Sequence, residues 1–121
     1  MDARLVWPVW IGGVVDDVEA ERRFYRDTLG LMETDASEGW AQFEVGGNLF
    51  ELMPRSSLPP YQALGYQVSF TVEDIEAART HLLEAGVEAL SEIEGEQGSP
   101  YRWCYFRDPE GNVFGITQRS G

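Results

Sequence analysis

The amino-acid sequence predicts an α+β fold made of two tandem βαβββ modules, and three observations predict it. The segment from Trp10 to Ala20 returns as Gln67 to Ala77, at an offset of 57 positions. Later anchors follow in the same order: Trp40 and Phe43 match Trp103 and Phe106 at an offset of 63, and Gly47-Asn48-Leu49-Phe50 matches Gly111-Asn112-Val113-Phe114 at an offset of 64. Insertions in loops produce such a drift, and ordered matches along most of a chain are the mark of an internal repeat. The second observation is strand-like alternation at the head of each copy. The third is an acidic pair after each of those strands, followed by apolar residues at helical spacing.

Taken in order, Val9, Ile11 and Val15 supply the apolar positions of the first strand. Asp16-Asp17 then opens a helix, where negative charge meets the positive end of the helix dipole. Val18, Phe24, Tyr25 and Leu29 are expected to turn toward a core before Gly30 ends the helix. Three short strands follow, with Gly46-Gly47 as the turn into the last. The stretch Pro54 to Gly65, rich in Pro and polar residues, is expected to be an exposed connection. In the second copy Val68, Phe70 and Val72 alternate with Gln67, Ser69 and Thr71, and Glu73-Asp74 opens a helix using Ile75, Ala78, Leu82 and Leu83. That helix stops at Gly86, three further strands follow, and Pro109-Glu110-Gly111-Asn112 turns into the last. The modules span about 5–55 and about 65–119, joined by a linker at about 56–64, within one domain of 121 residues.

Charge narrows the partners. Nine Lys and Arg stand against 21 Asp and Glu, a formal net charge of -12 that repels a phosphate backbone and an anionic membrane surface. Neither nucleic acid nor membrane is expected as a partner, whereas cationic molecules are attracted. Cys104 is the one cysteine, so no internal disulfide forms, and the chain fits a reducing cytoplasm. Met1-Asp2-Ala3-Arg4 does not begin a secretory signal, and no apolar run approaches the ~20 residues that cross a bilayer. A soluble cytoplasmic protein is the expectation.

Phe24-Tyr25-Arg26-Asp27-Thr28-Leu29-Gly30-Leu31, followed by Phe106-Arg107-Asp108-Pro109-Glu110-Gly111-Asn112, resembles the vicinal oxygen chelate superfamily. That superfamily comprises glyoxalase, bleomycin resistance protein and extradiol dioxygenase-like domains, and the likeness runs from about Leu5 to Arg119. It implies a glyoxalase/bleomycin-resistance-like fold in which each module curls a mixed sheet around one side of a cleft, and it implies a homodimer. It does not name an activity, because one fold hosts isomerases, dioxygenases, transferases and antibiotic-binding proteins.

In metal-dependent members the ligands sit on the first and last strands of each module. The resemblance carries those positions onto Trp10 and Glu51 in the first copy and onto Gln67 and Gly115 in the second. Only Glu51 is a strong ligand: an indole N–H has no lone pair to give, glycine has no side chain, and a neutral amide binds a divalent transition metal weakly. Three good protein ligands are the usual minimum. No metal and no other cofactor is therefore expected. His81 lies mid-helix, away from these positions, and reads as a solvated residue.

Strand alternation then places Gly12, Leu49, Met53, Ser69 and Val113 on the cleft wall beside those four, while the family analogy adds Tyr105 and, by alternation, Trp103. The first copy offers Trp40 and Gln42. The expected ligand-binding wall is thus Trp10, Trp40, Gln42, Glu51, Gln67, Ser69, Trp103 and Tyr105. Aromatic faces hold planar or cationic molecules, and a carboxylate pairs with an ammonium or guanidinium. Each of these aromatics can equally be a packing residue. A carboxylate between Phe50 and Leu52 needs a partner, with Arg55 and Arg119 as candidate counter-charges. Cys104 alternates away from Trp103 and is expected buried and inert.

Three functions remain open at this point. The favoured one is metal-free capture of a small aromatic or cationic molecule, as in antibiotic resistance by sequestration. The alternative is a metal-independent enzyme with Glu51 as general acid or base. A metal-dependent lyase or dioxygenase ranks last.

Overall fold

The computed structural model describes residues 6–37 and 39–119, with side chains from residue 10 onward. In chain order the elements are β1 (Val6–Val15), α1 (Val18–Arg23) running into a π-helical turn (Phe24–Thr28), β2 (Met32–Ser37), β3 (Trp40–Val45) and β4 (Asn48–Pro54). A 3-10 turn (Arg55–Ser57) leads on to β5 (Gly65–Val72), α2 (Ile75–Glu84), β6 (Glu88–Ala89), β7 (Tyr101–Arg107) and β8 (Val113–Arg119). Each copy is thus β-α-β-β-β, as the repeat predicts. The helix starts repeat too. Asp17 accepts a hydrogen bond from the Ala20 amide at 3.0 Å and Asp74 accepts one from the Ala77 amide at 3.1 Å, so each helix opens on a capped N-terminus.

The fold forms two compact units, one of Val9–Gln67 and one of Val68 onward together with residues 6–8. In the first, the strands lie in the order β2-β3-β4-β1, with β1 parallel to β4 and the other pairs antiparallel. Ala41, Phe43, Phe50 and Leu52 pack against Val18 of α1, and Tyr25 and Leu31 close the cluster. Phe24 and Leu29, expected in this core, are exposed instead. The α-helix lasts six residues before the π-helical turn, and the wider turn breaks the spacing that would have carried both residues inward. Tyr25 alone stays, with its ring centroid 4.7 Å from that of Phe50.

The second unit orders its strands β5-β8-β7-β6, again with one parallel pair, β5 and β8. Its core is Val72, Ile75, Ala78, Cys104, Phe106 and Ile116. Leu82 packs against it but Leu83 is exposed, since neighbouring residues on a helix are about 100° apart and only one of the two can face the sheet. Cys104 is fully buried, and burial pushes its thiol up to about 11, so the thiolate is scarce at neutral pH. His81 is exposed on α2.

Two turns bear on the site strands. Asp108 accepts hydrogen bonds from the Asn112 side-chain amide, the Asn112 backbone amide and the Glu110 backbone amide, which together hold its carboxyl below its ordinary value and set the turn from β7 into β8. Gly95, in the loop before β7, has φ +88°, and a Cβ there would stand 2.5 Å from the Tyr101 carbonyl oxygen and 3.2 Å from the Trp103 ring. Gly95→Ala is expected to lose about 1–2 kcal/mol from the left-handed backbone alone, more with the overlap. A thermal melt at or above the wild-type midpoint would contradict that. Among the described residues, no helix is long and apolar enough to cross a membrane.

Candidate functional site

Strand register gathers one row of residues on the sheet face of the first unit that points away from α1. Gly12 of β1 pairs with Glu51 of β4, which pairs with Gln42 of β3. The flanking positions 41, 43, 50 and 52 turn into the helix-side core, so Gln42 and Glu51 must face the other way. Gly12 leaves the room that the site uses. A Cβ at Gly12 would overlap the Trp10 indole and lie 2.7 Å from the Met53 methyl, so the indole rests directly on the glycine backbone. In that position Trp10 Nε1–H donates to Glu51 Oε1 at 3.3 Å.

Glu51 is partly buried, and burial holds its pKa above the ordinary carboxylate range; the Trp10 hydrogen bond opposes this, and the negative charge of Asp35 adds to it. Neither Arg55 nor Arg119 neutralises Glu51. Arg55 pairs with Asp16 at 3.0 Å, and Arg119 lies over the Tyr101 ring at 5.8 Å. The remaining described arginines are likewise engaged elsewhere: Arg22 with Glu19 and Glu33, Arg23 with Glu19, Arg26 with Asp27, Arg79 with Glu92, Arg102 with Glu76 and Arg107 with Glu88. Among the described residues Glu51 forms no ion pair, and a long indole N–H bond is a weak substitute.

The other expected site residues divide between several places. Gln67, at the first unit's end of β5, is buried; its Nε2 donates to Gln62 Oε1 at 2.6 Å, and its own carbonyl oxygen has no partner among the described residues. Gln62 is also buried, so the connecting stretch expected to be exposed is partly inside, together with Pro54. Trp40 lines a cavity of about 400 Å³ between α1 and the β2–β3 hairpin, with Val18, Arg22 and Ala36 among its neighbours. In the second unit, Ser69 of β5, Gly115 of β8 and Tyr105 of β7 form one row, and Thr117 and Trp103 form the next. Ser69 and Thr117 are buried and share a hydrogen bond. Trp103 is half-buried, and its backbone exchanges hydrogen bonds with Glu94. The Tyr105 amide donates to Ser91 Oγ at 3.0 Å.

Sequence reasoning missed Asp35, Gln62 and Thr117. Thr117 was within reach, since it lies two residues beyond Gly115 on the same strand and so shares its face. Asp35 and Gln62 give no local signal, because an irregular pairing places the first and a fold-back of the connection places the second.

The four family ligand positions do not suit a divalent metal. The Trp10 nitrogen is committed as a donor, and Gly115 has no side-chain atom to offer. Glu51 and the carbonyl oxygen of Gln67 are the oxygen donors that remain, fewer than a transition-metal centre needs. Among the described residues no group of three or more His, Cys, Asp or Glu is placed to hold a metal ion.

Comparison with known proteins agrees with this architecture. A family model described as the Glyoxalase/Bleomycin resistance protein/Dioxygenase superfamily matches residues 7–116. The uncharacterized protein YraH of Bacillus subtilis (strain 168) is 27% identical over 118 residues, covering 85% of this chain and 91% of its own. A superfamily member from Vibrio splendidus 12B01 superposes with a TM-score of 0.69 at 18% identity, covering 95% of this chain and 97% of that one. Methylmalonyl-CoA epimerase from Mycobacterium tuberculosis superposes with a TM-score of 0.71 at 20% identity, covering 100% and 93%. At such identities the two structures show a shared fold and no more. The match along nearly the whole chain is decisive for the family: this protein belongs to the glyoxalase/bleomycin resistance protein/dioxygenase superfamily.

Proposed function

We propose that this protein captures a small cationic or planar aromatic molecule without a metal ion, through the Trp10–Glu51 face, in the manner of an antibiotic-sequestering member of its superfamily. One observation carries the reading: Glu51 is a partly buried carboxylate that forms no ion pair among the described residues. A carboxylate so placed keeps unused acceptor capacity, and a bound ammonium or guanidinium supplies the missing charge-assisted bonds. Trp10, packed on Gly12, adds an aromatic ring beside it, worth about 0.5–2 kcal/mol to a cation in good contact. The net charge of -12 favours the arrival of cations over anions. A homodimer working in the cytoplasm completes the reading.

Thermal shift against a panel of aromatic amines and amidines tests it. A true ligand at a hundredfold its Kd raises stability by about 2.7 kcal/mol. Glu51→Gln removes that gain for cations if the reading is right; a cation gain that survives in the variant rules out Glu51 as the anchor.

The raised pKa favours a second reading, in which Glu51 is the general acid or base of a metal-independent reaction. Glu51→Gln then abolishes turnover of a substrate while leaving the fold intact. The two readings share a prediction for the ligand-free protein. Below the ordinary carboxylate pKa, Glu51 is protonated whether the chain is folded or not and costs nothing. As pH rises toward the higher folded value, the unfolded chain releases the proton first, so stability falls. Above that value the full penalty remains. Glu51→Gln lacks it and is expected to be more stable than wild type by on the order of 1 kcal/mol at neutral pH, with the difference closing toward acid pH. Urea titrations across that range read the effect directly.

A further inference from the structure

We propose that the Glu51 face binds a dication, a molecule carrying two ammonium or guanidinium groups, one paired with Glu51 and the other with Asp35 across Gln42. The assignment rests on the cation-capture reading above and names its ligand class.

The pairing of β2 with β3 is irregular. Glu33 pairs with Phe43, yet the next pair is Asp35 with Gln42, so Thr34 is an extra residue bulged out of the ladder. Unbroken pairing would set Thr34 opposite Gln42 and drive Asp35 opposite Ala41, into the core side of the sheet. The bulge puts Ala36 opposite Ala41 instead and turns Asp35 to the face of Gln42 and Glu51. Thr34 Oγ1 lies 3.3 Å from both the backbone and side-chain oxygens of Gln42, which ties the bulge to that residue. Asp35, Gln42 and Glu51 therefore form a straight row across β2, β3 and β4. The two acidic positions are two inter-strand steps apart, roughly 10 Å between backbones. They repel each other through that gap, and the repulsion adds to what burial does to Glu51.

A separate feature points to an absent donor on the same face. Gln67 is 7% exposed, and its carbonyl oxygen is unpartnered among the described residues. Its direction follows from Tyr66, whose ring would lie 3.6 Å from a Cβ on Gly13. Gly13 pairs with Leu52, a residue of the helix-side core, so Gln67, next along the strand, turns to the side of Gly12 and Glu51. An unpaired buried carbonyl destabilises the empty protein, and an N–H of a bound ammonium relieves it. Two separated carboxylates and an unmet amide acceptor match a donor-rich molecule with two positive centres. A monocation leaves one carboxylate unanswered.

Calorimetric titration of the full chain with hexamethylenediamine and with hexylamine decides the matter. The two probes have the same carbon chain and differ by one ammonium group. In the wild type the diamine is expected to bind about fivefold more tightly, the scale of one exposed ion pair. Asp35→Asn is expected to bring the ratio close to one, and the exposed position of Asp35 makes a folding defect easy to exclude by its melting temperature. Equal binding of both amines by the wild type, or an unchanged ratio in Asp35→Asn, overturns the dication assignment while leaving single-cation capture at Glu51 standing. Binding of neither amine overturns both.

Discussion

Phe43→Ala is expected to lower the unfolding free energy by about 3–5 kcal/mol. Phe43 is fully buried on β3, with its ring 6.2 Å from Phe50 and 6.3 Å from Tyr25. Two features prevent the site from collapsing around the gap. Ala41 and Val18 beside it are small, and the π-helical turn that carries the half-buried Tyr25 has no fully buried residue with which to follow the sheet inward. The lost contacts are therefore not remade. Urea denaturation should show the midpoint falling with little change in slope. A loss below about 1 kcal/mol would mean that the aromatic cluster of this unit contributes far less than its burial indicates.

Gly12→Val is expected to lose about 2–3 kcal/mol and to abolish binding at the Glu51 face. A Cβ at this position already overlaps the Trp10 indole and stands 2.7 Å from the Met53 methyl, and valine adds two branches. Trp10 must then swing away from β1, which breaks its hydrogen bond to Glu51 and strips the carboxylate of that partner. Two independent readouts follow. The melting temperature falls, and the near-ultraviolet circular dichroism of the tryptophans changes while the far-ultraviolet signal stays. If Trp10 instead is loosely held, the variant keeps both its stability and its affinity for cations, and the aromatic wall is not a built part of the site.

Glu51→Gln and Gly12→Val separate packing from charge. The first is expected to stabilise the empty protein and weaken cation binding, whereas the second does damage to both. Opposite signs on stability from two changes at adjacent positions in one row are what a site, as distinct from a piece of core, produces.

Much of this architecture was legible in the residues themselves. The repeat from Trp10 to Ala20 and from Gln67 to Ala77 determined two βαβββ units, and Asp17 and Asp74, 57 positions apart, determined where their helices begin. Alternation determined that Cys104 and Trp103 take opposite faces, whereas the register of β3 on β4 is what sets Gln42 beside Glu51. Capping and alternation are local properties: capping acts over three residues, and strand facing follows from the period of the backbone. Tertiary structure alone decided the rest. Phe24, Leu29 and Leu83 carry core-like side chains yet stay exposed, because the sheet offers a helix only as much surface as its turns can reach. Arg55 pairs with Asp16 and Arg119 lies over the Tyr101 ring, and among the described residues Glu51 forms no ion pair. Asp35 joined the row by a bulge, and Gln62 was buried by the fold of a stretch that looks like open loop. Each of these depends on which of several chemically equivalent partners lies nearest, and that choice is made by residues distant in sequence whose positions only the assembled chain defines.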